Sequence, residues 1–196
     1  MSSSKKVRVN RGPPPSKPIK RTRYKNALPD LLRDFENRCA YSMQHTECAG
    51  MLEVDHFDPR LKGELFQDYN NLFPASRHCN CRKSDNWPSK TEMAAGCRFL
   101  NPCTEIDYGE QIYEDHSTGM LIGVTPAAKW HIRICGLNAG HLVNERVKRT
   151  NHWKSYRNTQ VKIKRCEPEV GDIIAKFKSQ VELMIPEIPA LPSNGG

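Results

Sequence analysis

The chain has no apolar run near the roughly 18 residues that a membrane-spanning helix requires. Its start, MSSSKKVRVN, has no apolar stretch of the secretory kind. These absences predict a soluble, cytoplasmic protein that does not act at a membrane. No internal repeat is present, which leaves one domain, or a small core with appendages, for 196 residues. Hydrophobic residues are 37% of the chain and prolines number 14, so a real core is expected beside much irregular structure. Without an export signal, the eight cysteines read as thiols or metal ligands rather than as a disulfide framework.

Acidic residues are missing altogether from residues 1–25, which hold nine Lys and Arg. The centre, 26–140, is mildly acidic at −5; residues 141–166 carry +7 and 167–196 carry −3, giving the overall +8. Two basic blocks around an acidic centre look like phosphate-binding arms. The first block contains Gly12-Pro13-Pro14-Pro15 and too little apolar surface to offset its ordering entropy. A disordered or extended arm is expected at 1–25, serving solubility or contact with nucleic acid or a partner.

Leu28, Leu31, Leu32 and Phe35 follow helical spacing, with Pro29 in the first turn and Asn26 as a possible cap. Met51 to His56 reads as a short strand that ends on Asp55-His56, and Phe57 to Asp68 as a loop. Pro74 reads as the start of a short helix bearing Cys79, Asn80 and Lys83 one turn apart. Beyond residue 90, Gln111–Asp115 and Met120–Val124 read as a hairpin. Helices are expected from Pro126, from Gly140 to about Thr159, and over Ile173–Met184. The division is then a basic arm at 1–25, a core at 26–90, a support or docking region at 91–185 and a flexible tail at 186–196.

The chemistry concentrates in Leu52–Lys83. Cutting a phosphodiester needs a nucleophilic water, neutralisation of phosphate charge and relief for the leaving oxygen. His56 suits the general base, since imidazole titrates near working pH. Asp55 points to the opposite side of a strand, so both face one phosphate only if a bend follows, and Asp58-Pro59 supplies one. A carboxylate and an amide oxygen suit Mg²⁺ or Mn²⁺, and Asp55 and Asn80 are the expected ligands. Asn71 is expected to brace the loop that orients His56. Lys83, with Arg82 and His78, is the expected phosphate contact. His45, His116, His131, His141 and His152 read as ordinary histidines, and Trp87, Trp130 and Trp153 as packing. Cys97, Cys103, Cys135 and Cys166 read as buried thiols.

Asp-His, then Asn-Leu, then Cys-Asn-x-x-Lys, over about residues 39–85, resembles the ββα-metal core of HNH endonucleases. The resemblance implies an α+β fold with His56 as general base, Asp55 and Asn80 on the catalytic metal and Asn71 as the central structural residue. More weakly, Asn101-Pro102, the Tyr113 hairpin, Gly136-Leu137-Asn138 and Arg146 resemble the C-terminal half of HNH proteins in Septu-type and retron-linked anti-phage systems. That likeness implies an ABC-like ATPase partner and the effector nuclease of a defence complex.

Many HNH proteins carry two Cys-x-x-Cys zinc knuckles; here the places read Cys39-x-x-Ser42 and Ser76-x-x-Cys79. Serine is a poor zinc ligand, so loss of the zinc is favoured. A surviving site would use Cys39 and Cys79 with Cys48, His45 or Cys81. The leading expectation is a DNA endonuclease, with RNA open because one metal beside a phosphate does not read the 2′-hydroxyl. The rivals are a nucleic-acid-binding module that does not cut, and a subunit silent until an ATPase partner joins it.

Overall fold

The computed structural model describes residues 8–105 and 108–163, with side chains described for 8–105 and 109–159. In chain order the elements are β1 (Ile19–Lys20), a 3-10 turn (Arg21–Ala27), α1 (Leu28–Asp34), α2 (Thr46–Ala49), β2 (Leu52–His56), β3 (Phe66–Gln67), β4 (Leu72–Ser76) and α3 (Arg77–Lys83). They continue with α4 (Lys90–Ala94), α5 (Tyr108–Gln111), β5 (Ile112–Glu114), β6 (Leu121–Gly123), α6 (Pro126–Ile134) and α7 (Gly140–Ile163). This is a mixed α and β architecture. Its strands form antiparallel pairs, β1 with β3, β2 with β4 and β5 with β6.

The β2–β4 ladder runs from Leu52 opposite Ser76 to His56 opposite Leu72. One expectation is corrected here, because Pro74 lies inside β4 rather than at a helix start. A two-stranded ladder leaves one side of each strand unpaired, where a missing N–H costs nothing. Pro74 uses its carbonyl instead, accepting from Ala40 N at 2.8 Å. The helix begins at Arg77, after Ser76 Oγ accepts from Cys79 N at 3.3 Å as an N-cap. Asn26 likewise caps nothing. It sits within the 3-10 turn, and the α1 cap position is Ala27, without a side-chain bond.

The described part of the basic arm is an extended strap on the core. Val9 N donates to Pro102 O at 2.9 Å. Arg11 donates to Tyr69 O and Leu72 O at 2.6 Å each, its guanidinium 4.6 Å from the Phe73 ring centre. Ile19 then pairs with Gln67 across β1 and β3. Arg11 is therefore committed to backbone carbonyls and aromatic faces, which removes it from the pool of phosphate contacts.

The expected core at 26–90 and support region at 91–185 pack against each other. One buried cluster joins Tyr41, Leu52, Ala75 and Cys79 from the first half to Leu100, Trp130 and Leu137 from the second. The hairpin β5–β6 and helices α6 and α7 form where the sequence places them. Helix α6 ends at Ile134, so Leu137 packs from the turn that follows. Gly119, at φ +72°, lies against α7, where a Cβ would come 2.8 Å from Val143 O. Buried Arg146 ties that contact, donating to Gly119 O at 2.9 Å and to Leu137 O. The helix expected at Ile173–Met184 and the tail at 186–196 lie outside the described residues.

Candidate active site

His56 closes β2 and is 5% exposed. Its Nε2 lies 2.5 Å from Gln67 Oε1. The orientation of the Gln67 amide follows from its other end, where Nε2 donates to Glu64 O at 2.7 Å. A carbonyl can only accept, so the amide nitrogen faces Glu64 and the oxygen faces the imidazole. His56 must therefore carry its proton on Nε2, which leaves the lone pair on Nδ1. Burial first, then the Lys62 and Lys83 charges, hold the imidazole below its ordinary pKa against the opposing pull of Gln67 and Asp55. The ring is neutral at pH 7, as a base must be before it acts.

Asn71 braces the bend after the strand. Its Oδ1 accepts from Asp58 N at 2.7 Å and its Nδ2 donates to Asp58 O at 3.1 Å. Its backbone carbonyl takes Phe57 N at 2.8 Å. Three bonds fix the two residues after His56, and with them the direction of the imidazole. Tyr24, from the 3-10 turn, lies over that imidazole with ring centres 4.7 Å apart.

Asp55 faces the other side of the hairpin. It is 4% exposed, and its Oδ2 takes both Tyr41 OH at 2.5 Å and Lys83 Nζ at 2.9 Å. Lys83 also donates to His56 O at 2.6 Å. The expectation that Lys83 holds a phosphate is corrected. Its side chain has no exposure, because a buried carboxylate requires a buried counter-charge. Asp55 Oδ1 takes no hydrogen bond among the described residues.

Asn80, on α3, donates from Nδ2 to Glu53 Oε2 at 2.6 Å, which leaves its Oδ1 as the free acceptor. Glu53 stands two residues before Asp55 on β2, hence on the same strand face, with Arg77 3.9 Å away. No group of three His, Cys, Asp or Glu side chains able to hold a metal forms among the described residues. The oxygens at Glu53, Asn80 and Asp55 Oδ1 are nevertheless hard donors, the type Mg²⁺ or Mn²⁺ accepts while keeping most of its waters. The donor set fits such an ion by its chemistry.

Sulfur chemistry gathers elsewhere. Cys39, Ser42, Ser76 and Cys79 converge, so the remnants of the two knuckles do meet. Cys39 is fully buried. Burial pushes its thiol up, but hydrogen bonds from Cys79, Ser42 and Ser76 outweigh that and bring it to about 5. Cys79 is pushed up as the partner that keeps its proton. Two thiols and two hydroxyls are not the nitrogen and sulfur set that tetrahedral zinc selects. Cys48 does not join them, and its expected place in a zinc site is corrected. It is exposed, next to Glu145 and Glu47, because α2 turns it outward.

His78 and Arg82 lie on a different side of α3 from Asn80. His78 Nε2 is 3.0 Å from Gly136 O, and both side chains reach the turn after α6 rather than His56. Reasoning from sequence missed Gln67, Glu53, Tyr24 and Tyr41. Glu53 alone left a signal, since strand alternation puts it on the Asp55 face. No family model, curated protein or solved structure matches this chain.

Proposed function

We propose that the chain is a metal-dependent HNH-type endonuclease that hydrolyses phosphodiester bonds of nucleic acid, DNA foremost. One observation carries the reading. A neutral histidine ends a strand with its Nε2 proton fixed on Gln67 and its Nδ1 left as base, above a bend braced by Asn71. The order of a strand, a bend, a returning strand and a helix bearing an asparagine amide supports the reading.

In this mechanism His56 Nδ1 takes the proton of the attacking water, while Gln67 holds the ring in the tautomer that makes this possible. Asn80 Oδ1, Glu53 and Asp55 Oδ1 would hold the divalent ion, which would supply charge neutralisation at the phosphate. Because Asp55 and His56 face opposite sides of β2, the substrate has to wrap the end of that strand to meet both. Lys83 acts behind Asp55, holding its carboxylate in place. Tyr24 covers one side of the His56 ring, its ring centre 4.7 Å away.

The test is plasmid cleavage by the full chain with Mg²⁺ and with Mn²⁺, and the same assay on an RNA. His56→Ala should lower cleavage by about 10²- to 10⁴-fold with fold and nucleic-acid binding retained. Undiminished cleavage by that variant would sink the assignment. The low exposure of His56 also favours a second reading, a subunit held silent until an ABC-like ATPase partner displaces the cover. Inactivity alone, followed by cleavage after co-purification with such an ATPase, would select it.

A further inference from the structure

Between α3, α6 and the turn that follows α6 lies an open cleft of about 560 Å³, lined by His78, Arg82, Lys129, Arg133 and Gly136 among others. None of its lining residues is acidic. Arg82 and Lys129 form no ion pair among the described residues. Arg133 meets Glu92 at 3.6 Å, while its own side chain stays 65% exposed. Gly136, at φ +61°, is what brings the two sides together. A Cβ there would come 2.9 Å from Arg82 Nε and 3.1 Å from His78 Nε2. His141 stacks edge-on against His78 at 4.5 Å. Burial, then the His78 and Arg146 charges, hold the His141 imidazole below its ordinary value, as a positive neighbourhood should.

We propose that this cleft is a phosphate-binding site, separate from the His56 site. Two guanidinium forks match the paired oxygens of a phosphate, and Lys129 adds a point charge beside them. A single carboxylate would satisfy one fork and leave Lys129, which forms no ion pair among the described residues, unneutralised. The cleft is open along its length, so the phosphates can belong to a nucleic-acid backbone running through it or to a free nucleotide. The site stands on its own charges and does not depend on the nuclease reading. If its phosphates come from the backbone, it sets where the strand leaves the helix that carries Asn80.

The experiment uses the full chain with divalent ions chelated. Binding of a fluorescein-labelled 20-residue DNA, single- and double-stranded, is followed by anisotropy across salt concentrations, with ATP and inorganic phosphate as separate probes. Arg82→Glu and Lys129→Glu alter exposed side chains, and circular dichroism checks that each still folds. A backbone source predicts weaker DNA binding and a salt slope shallower by about 1 for each variant. A free-nucleotide source predicts unchanged DNA binding and lost affinity for ATP or phosphate. The proposal is overturned if folded Arg82→Glu and Lys129→Glu bind every probe as the unaltered chain does. DNA binding that these variants weaken, in a chain that cuts nothing, fails the nuclease reading and keeps the cleft.

Discussion

The Lys83 ammonium lies without exposure 2.9 Å from Asp55, with the Tyr41 hydroxyl on the same carboxylate oxygen. Removing one member of a buried pair strands the other charge, at a cost of about 3–5 kcal/mol. Lys83→Ala should therefore lower stability by that amount in urea unfolding. A surface phosphate contact would cost within about 0.5 kcal/mol, and such a small loss would refute the buried pair. Gln67 acts through His56. Gln67→Glu places a carboxylate on the Nε2 proton and favours the imidazolium, so the acidic limb of the cleavage–pH profile should move up from its position below the ordinary histidine range. Gln67→Leu should lower the plateau without that shift, and identical profiles for the two variants would remove Gln67 from the site. His131 gives a stability prediction. It is fully buried, accepts from Leu100 N at 3.1 Å and is held by burial down to about 3. In the unfolded chain it titrates near its ordinary value of 6.5. The stability that comes from keeping it neutral is complete above that pH. It is lost as pH falls toward 3, at about 1.4 kcal/mol per unit. His131→Gln should flatten the fall in unfolding free energy between pH 6.5 and 4.5 by about that slope, and an unchanged slope would contradict the assignment.

Local signals fix some elements of this fold and long-range pairings fix others. The Asp-His strand end, the Asn71 brace, the β5–β6 hairpin and α6 and α7 were legible because their signals are local: alternation, turn residues, helical spacing. Pro74 misled because its local signal is a helix start, while its strand is fixed by pairing with the distant Val54. Gln67, Tyr24 and Arg11 were illegible for the same reason. None sits in a spacing pattern with His56; long-range contacts bring the strap to it, the pairing of β1 with β3 and the Arg11 bonds to Tyr69 O and Leu72 O among them. That arrangement makes the strap a cover. Tyr24→Ala should leave the hairpin intact and speed modification of His56 by diethyl pyrocarbonate, read by mass spectrometry of the peptide that contains it. An unchanged modification rate would mean that Tyr24 does not shield the ring.

At the scale of the whole molecule, the Leu52–Lys83 segment and the second half depend on one core. Tyr41, Leu52 and Cys79 pack in the same cluster as Phe99, Leu100, Trp130 and Leu137, and Phe99 touches Tyr41, Phe57, Trp87, Trp130 and His131 as an aromatic hub. Each large apolar side chain of that second half contributes about 1.5–3 kcal/mol by leaving water. Four of them together approach the whole net stability of an ordinary domain, about 5–15 kcal/mol. A fragment of residues 1–90 keeps His56, Asn71 and Asn80 but loses all four, together with the Leu100 amide that His131 accepts. It should show no cooperative thermal transition by circular dichroism, where the full chain shows one. A sharp melt in the fragment would mean that the first half folds by itself, and that the shared core is a docking surface between two units.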